Sequence, residues 1–159
     1  MYCNHRTYGM TVKVIEDVSS EPVSLAEVKK YMEVDFDDWD DVLNGLIKTM
    51  RSVAEKYCNL SLKPKKLSVS WKSIGDQPEL PYGPVDEDSV TPTGTITANT
   101  EYTYDTGYEL EEVPEEAKTA IKEMVHQAFD NRGDKTYDPN DIPPVAKMYL
   151  DRISRNLWL

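Results

Sequence analysis

Apolar residues recur at helical spacing in four stretches of the chain, and each stretch predicts an amphipathic helix. Ser24 and Glu27 bracket the start of the first stretch as a capping box, in which the hydroxyl and the carboxylate each accept a backbone N–H. The four helices are expected over about residues 25–33, over about residues 38–58, from Pro114 at N1 to a C-cap at Gly133, and from Pro143 to the C-terminus.

Five carboxylates lie between Asp35 and Asp41, at the start of the second predicted helix. An EF-hand loop beginning at Asp35 would need Gly at its sixth position and Glu at its twelfth, but these positions hold Asp40 and Leu46. The acidic run is therefore interpreted as helix capping, in which carboxylates satisfy free N–H groups and favour the positive end of the helix dipole.

Between the second and third helices the pattern changes from helical spacing to alternation. Residues 67–71 alternate apolar and polar side chains and predict a half-buried strand. Prolines and glycines crowd residues 75–94 and predict a loop, after which residues 95–97 and 102–104 are expected as short strands. The fold class is therefore α+β and mainly α-helical, with two N-terminal helices, a small central β element and two C-terminal helices.

No repeat or linker divides the chain, so residues 1–159 are expected to form one domain. Residues 1–20 are expected to be a flexible N-terminal arm. Residues 142–159 are expected to form a C-terminal helix and tail that docks on a partner, because Leu157, Trp158 and Leu159 would otherwise leave apolar side chains in water.

The charge balance is acidic, with 29 Asp and Glu against 18 Lys and Arg and a net charge of −11. Such a surface repels a phosphate backbone, which argues against tight nucleic-acid binding and suits a channel through which DNA slides. No stretch approaches the roughly 18 apolar residues that span a bilayer, and the N-terminus lacks the apolar run of a secretory signal. Synthesis in the cytoplasm is the resulting expectation.

Candidate catalytic and metal-binding chemistry is sparse. Cys3 and Cys58 lie far apart and no cluster supplies four zinc ligands, so Cys58 is interpreted as a packed helical residue. His126 lies on the third predicted helix without a nucleophile beside it, and no phosphate-binding glycine loop occurs. Tyr102, Tyr104 and Tyr108 lack the basic groove of a single-strand binder and are expected to pack in a core or interface. The sequence therefore predicts no enzyme, no cofactor and no metal site.

Several segments, taken in order, resemble the head–tail connector (adaptor) proteins of long-tailed bacteriophages. The likeness spans about residues 20–155, and each motif alone consists mostly of capping and packing residues. The segments are Glu21-Pro22-Val23-Ser24-Leu25-Ala26-Glu27-Val28-Lys29, the acidic turn and helix of residues 37–60, Tyr102-Thr103-Tyr104-Asp105-Thr106-Gly107-Tyr108 followed by residues 113–121, Phe129-Asp130-Asn131-Arg132-Gly133, and residues 142–152.

The resemblance implies a structural virion protein at the head–tail interface, made in the bacterial host cytoplasm. Such proteins form a ring, commonly twelvefold, which joins the portal to stopper or tail proteins and extends the DNA channel. Their C-terminal segment reaches toward the portal, so the last helix is expected to carry the portal contacts; for Ile153 a core position is an equal alternative. The candidate interface residues are Tyr149, Arg152, Ile153, Arg155, Leu157, Trp158 and Leu159.

Two other classes of protein are weighed against the connector. A stopper-like or tail-completion protein would also be structural, but such proteins are built mainly of β structure, whereas four helices are predicted here. An acidic DNA mimic would need carboxylates spaced along one face, whereas these carboxylates cluster at helix starts. Oligomeric state, alone and with a portal protein, discriminates among the three.

Overall fold

The computed structural model describes residues 8–75, 77–134, 136, 138 and 141–155. Four helices and a three-stranded sheet confirm the predicted α+β, mainly helical class, and one additional strand precedes the first helix. The elements are β1 (Tyr8–Asp17), α1 (Leu25–Met32), α2 (Asp40–Cys58), β2 (Lys65–Ser73), a 3₁₀ turn (Glu87–Ser89), β3 (Glu101–Thr106), α3 (Glu115–Asp130) and α4 (Pro144–Ile153).

The four helices pack together as a helical body with one apolar core. α3 contacts the other three helices, and α1 and α4 each also contact α2. The buried stripe predicted for α2 and α3 is confirmed, because their apolar residues at i, i+3 and i+4 face this core. The buried residues are Val23, Val28, Leu43, Ile47, Met50, Ala54, Cys58, Leu60, Leu62, Val113, Ala117, Ala120, Ile121, Met124, Val125, Ala128, Phe129, Ala146 and Leu150.

The starts of α1 and α2 are stabilised differently. The capping box of α1 is confirmed: Glu27 N–H donates to Ser24 Oγ at 3.3 Å, and Ser24 N–H donates to Glu27 Oε2 at 2.8 Å. α2 begins after Trp39 and has no side-chain cap, so the predicted capping hydrogen bonds are wrong. Asp40 and Asp41 do lie in its first turn, where carboxylates favour the positive end of the helix dipole as predicted. Asp37 and Asp40 also form ion pairs with Lys29 at 2.6 and 2.9 Å, which fixes the turn between the two helices.

The ends of the C-terminal helices differ from expectation by a few residues. Pro114 is the N-cap of α3 and not its first helical residue, and Asn131 is the C-cap, whereas Gly133 lies beyond the helix with φ of +126°. α4 ends at Ile153 because Ser154 adopts an extended conformation, so the helix does not continue to the C-terminus.

The sheet has the strand order β1-β2-β3, and both pairings are antiparallel. Val12 lies opposite Val69, which in turn lies opposite Tyr102, and a bulge separates Val14 from Glu16. β1 corrects the expected flexible arm over residues 8–17, whereas residues 1–7 lie outside the described residues. β1 forms because Met10, Val12 and Val14 alternate with polar residues, so their side chains lie on one face and extend the apolar face of β2.

A small second core lies on one face of this sheet. It buries Leu67, Val69, Trp71, Tyr102 and Tyr104. The predicted packing role of the tyrosines is confirmed, because Tyr108 in turn packs, partly buried, against the helical core. Apolar residues of the loop between β2 and β3 cover it, together with Val12 of β1. The partly buried residues that pack against it are Val12, Ile74, Leu80, Tyr82, Val85, Val90 and Ile96.

The loop before β3 contains no strand at residues 95–97, so that prediction is wrong. These residues instead wrap around the hydroxyl of Tyr102, which accepts the N–H of Thr97 at 2.9 Å and donates to Thr95 O at 3.3 Å. Residues 98–99 form a turn, in which Asn99 adopts φ of +60°.

Candidate docking surfaces and the ionic joint beneath them

The last helix is fastened to the helical body on one side. Ala146 and Leu150 are fully buried against the core. Cys58 Sγ donates to Leu150 O at 3.5 Å, and the Tyr57 hydroxyl donates to the carboxylate of Asp151. The hydrogen bond to Asp151 raises the pKa of Tyr57 to about 12, and burial raises the pKa of Cys58 to about 12, so this thiol is not a reactive group.

The opposite side of α4 presents apolar side chains to solvent. Val145 is 49% exposed and Met148 is 48% exposed, and Arg152 is exposed one turn further along the same side. The short side chain of Ala146 carries the buried face together with Leu150. We call Val145, Met148 and Arg152 the outer face of α4.

The candidate interface residues of the C-terminal segment divide into four groups. Tyr149 and Ile153 are half-buried and pack against the helical core, whereas Arg152 is exposed. Arg155 makes its contacts within its own subunit. Three candidates lie outside the described residues, so their role stays a prediction: Leu157, Trp158 and Leu159.

Arg155 holds the segment after α4 against the loop that covers the sheet. Its backbone N–H donates to Cys58 O at 2.9 Å, and Nη1 donates to Leu80 O at 3.4 Å. Nη2 lies 3.7 Å from the carboxylate of Glu79. A side chain at Gly83 would collide with the guanidinium, so the glycine allows this close approach. Arg155 thus links the two cores of the subunit.

A second exposed apolar surface lies at the turn between α1 and α2. We call Phe36, Trp39 and Val42 the aromatic turn; Phe36 is 50% exposed and the other two are at least one-third exposed. The Trp39 ring packs edge-on against Phe129 of α3, with ring centroids 6.0 Å apart. The guanidinium of Arg132 lies 4.6 Å from the Trp39 centroid and 3.9 Å from the Phe129 centroid, so a cation–π contact braces the indole.

The helical body and the sheet are joined by buried charges, which we call the ionic joint: Glu21, Arg51, Glu55, Lys63 and Lys65. Arg51 Nε lies 2.6 Å from Glu21 Oε2, and Arg51 Nη1 lies 2.6 Å from Glu55 Oε2. Burial lowers the pKa of Arg51, but the charges of Glu55 and Glu21 outweigh burial and raise it above its ordinary value.

Lys65, the first residue of β2, and Lys63, two residues before it, extend the ionic joint to the start of β2 and to Val18, the residue after β1. Lys65 Nζ lies 2.6 Å from Glu55 Oε2, and the N–H of Leu62 donates to Glu55 Oε1 at 2.8 Å. Lys63 Nζ donates to Val18 O at 2.7 Å and lies 3.2 Å from Glu21 Oε1. Because the side chains of these five residues are largely buried, removing one member takes a partner from a charge that solvent cannot stabilise.

The side chains of the described residues do not form a metal-binding site. Among them, no group of three or more His, Cys, Asp or Glu side chains is placed to hold a metal ion. His126 packs edge-on against Tyr31, with Nε2 3.2 Å from an Asp130 carboxylate oxygen. Within the same described part of the chain, no helix is long and apolar enough to cross a membrane.

Comparison with solved structures finds the same fold in two particles. The virion of a native gene transfer agent (GTA) particle contains a chain with a TM-score of 0.66 at 15% identity, covering 90% of this chain and 94% of that chain. The neck of an empty GTA particle, computed with C6 symmetry, gives a TM-score of 0.68 at 14% identity, covering 91% and 95%. No curated protein matches in sequence.

The helical body carries exposed apolar surfaces beside a small antiparallel sheet, and such surfaces are typical of a protein that binds other proteins. Residues 22–142 match the sequence model of the phage gp6-like head-tail connector proteins, and this match covers well over half of the chain. The chain therefore belongs to the phage gp6-like head-tail connector family, as its motifs predicted. It is a structural protein of the virion neck, at the head–tail interface.

Proposed function

We propose that this connector forms a ring, twelvefold in the family pattern, between the portal and the stopper or tail proteins. The ring extends the DNA channel, and the role of the subunit is structural and not catalytic. The similar GTA neck was computed with C6 symmetry, which a twelvefold ring contains, and this supports the proposal. The net charge of −11 supports passage of DNA without retention.

The outer face of α4 is the single observation that carries this proposal. Ala146 and Leu150 hold the helix rigidly, so Val145 and Met148 are presented to solvent at fixed positions. Exposed apolar side chains on a rigid helix are typical anchors of a protein interface, and Arg152 beside them supplies a polar rim. We assign this face to the portal, together with Leu157, Trp158 and Leu159.

The aromatic turn supports contacts with neighbouring subunits. A subunit of a closed ring uses two different surfaces to contact its two neighbours, and it needs a third surface for the portal. Phe36, Trp39 and Val42 form an exposed apolar surface separate in sequence from α4, and Arg132 holds Trp39 in place. Aromatic and arginine side chains are enriched in such contacts.

Native mass measurement and negative-stain imaging of the chain, alone and mixed with the cognate portal protein, test the proposal. We expect rings on the portal, and a persistent monomer that ignores the portal would contradict it. Met148→Glu should weaken portal binding by about tenfold or more, because a carboxylate would enter the apolar contact. Binding to a tail protein but not to the portal would instead favour a stopper-like role.

Lys147→Glu is the matched control for Met148→Glu. Lys147 is also exposed on α4, but it lies two residues from Val145 and therefore on the other side of the helix. Lys147→Glu changes the net charge by more than Met148→Glu does. It should nevertheless leave the affinity for the portal within about twofold of the wild type if the outer face of α4 makes the contact. Equal loss in both variants would indicate a general charge effect and contradict the assignment.

Deletion of residues 156–159 tests the tail separately. If Leu157, Trp158 and Leu159 are portal anchors, the deletion should weaken portal attachment and leave the melting temperature nearly unchanged. A large fall in melting temperature would instead place these residues in the core of the subunit. Circular dichroism melting and portal pull-down on the same sample distinguish the two outcomes.

A further inference from the structure

The apolar face of the sheet continues past its covered core onto β1. Met10, Val12 and Val14 lie opposite Trp71, Val69 and Leu67, so they share the face that buries the small core. The loop between β2 and β3 covers that core but leaves β1 largely open: Met10 is 46% exposed and Val14 58%. Met10, Val12 and Val14 therefore form an apolar row on β1, beside the small core that the loop covers.

The backbone edge of β1 is open as well. The other edge of the sheet is protected, because Thr91 of the loop exchanges backbone hydrogen bonds of 2.9 and 2.8 Å with Thr103 of β3. In the part of the chain that the structure describes, no backbone hydrogen bond reaches the outer edge of β1. An edge strand of ten residues without proline is a template for a further strand. Lys13 is its one central charge.

The alternation of apolar and polar residues in β1 is symmetric about Val12, so it is the same in both chain directions. In an antiparallel pair of two β1 strands centred there, Met10 faces Val14 of the other copy, and Val12 faces Val12. On the opposite face, Lys13 lies opposite Thr11, so no like charges meet. A register centred on Lys13 would bring two ammonium groups together. The strand is thus self-complementary in one register.

We propose that a second copy of this chain covers the open edge, with the two β1 strands pairing antiparallel about Val12. The two sheets then form one six-stranded sheet, and the apolar rows of both copies become continuous. The contact is twofold, so it joins subunits in pairs and does not itself close a ring. It concerns the subunit before assembly and does not depend on the ring proposal.

Disulfide trapping tests the register. In a Cys3→Ser background, Val12→Cys places two thiols directly opposite each other, within the reach of a disulfide. Lys13→Cys is the matched control, because the two Lys13 positions are offset by two residues along the pair and their Cα atoms lie beyond about 7 Å. The remaining Cys58 is buried and does not compete. We expect a covalent dimer, twice the 18.2 kDa subunit mass, from Val12→Cys and not from Lys13→Cys.

Charge substitution tests the faces of the strand. Native mass measurement should find a dimer of the wild-type chain, weakened at least about tenfold by Val14→Glu, which puts a carboxylate into the apolar row. Thr11→Glu adds the same charge to the same exposed strand but faces Lys13 of the second copy, so dimerisation should be kept or strengthened. Circular dichroism confirms that both variants are folded.

Four results would overturn the proposal. The wild-type chain would remain monomeric at tens of micromolar, the two cysteine variants would cross-link equally, or the two Glu variants would lose dimerisation equally. Assembly straight to larger rings without a trapped Val12 pair would also overturn it. None of these outcomes decides the portal experiment, which uses α4 variants and leaves β1 unchanged.

Discussion

The helical body and the sheet of this connector solve the problem of burying apolar surface in different ways. The helical body closes its core with four helices, and its exposed apolar residues lie outside that core, on α4 and at the aromatic turn. The sheet closes only the half formed by β2 and β3, and β1 leaves the same apolar face open. The apolar core of the helical body is therefore fully buried within one subunit, whereas the apolar side chains of β1 remain exposed in the single subunit.

Breaking the ionic joint should have the largest effect, because it connects the two regions. Glu55→Ala leaves Arg51 and Lys65 without their shared carboxylate and leaves the N–H of Leu62 without its acceptor. We expect a loss of about 3–5 kcal/mol in the free energy of unfolding, measured by urea denaturation. A loss below about 1 kcal/mol would contradict this role.

Glu115→Ala is the matched control for Glu55→Ala. Glu115 also pairs with a lysine, Lys118, at 2.9 Å, but its side chain is 79% exposed. An exposed ion pair contributes at most about 1 kcal/mol, so this variant should unfold nearly as the wild type does. The difference between the two variants isolates burial as the cause.

Truncating one apolar side chain in the helical body and one in the sheet measures how much each region gains from burial. Leu150→Ala opens a cavity in the closed helical core and should cost about 3 kcal/mol. Val14→Ala removes two methyl groups from an exposed position and should cost within about 0.5 kcal/mol in the monomer. Urea denaturation at low protein concentration measures both, and comparable losses would mean that β1 is covered within its own subunit.

The sequence predicted the helical body better than the sheet, because helical spacing is a local signal. The apolar stripes of α2 and α3 extend over several turns, and each turn again indicates which face of the helix is buried. α4 is short, and only Ala146 and Leu150 are buried in it, so its apolar pattern says little about which side faces the core. The alternation in β1 was present in the sequence, but strand pairing depends on β2, which lies about 50 residues away.

The ionic joint could not be predicted because its partners are distant in sequence. Glu21 lies 30 residues from Arg51 and 42 residues from Lys63, and nothing in their local patterns relates them. Only Arg51 and Glu55 have helical i, i+4 spacing, which in an isolated sequence indicates an ordinary exposed pair. Burial, which gives the pair its importance, follows from how β2 packs on α2.

The smallest effect is expected from the tyrosine–carboxylate pairs that fasten the outer helices of the helical body. Tyr57 donates to Asp151, and Tyr31 donates to Glu123 at 2.7 Å; these hydrogen bonds raise the pKa of each tyrosine to about 12. The folded pKa lies above the unfolded value of about 10. The stability from each pair is therefore fully present below pH 10 and is lost as the pH rises toward 12.

Tyr57→Phe should therefore lower the melting temperature slightly at pH 8, and the difference from the wild type should shrink between pH 10 and 12. Asp151→Asn keeps an acceptor but removes the charge, so it should move the pKa of Tyr57 back toward 10 in an absorbance titration of tyrosinate. A constant difference across this pH range would mean that Tyr57 stabilises α4 through its ring alone. The helical body would then be held by packing, and buried charge would matter only where it meets the sheet.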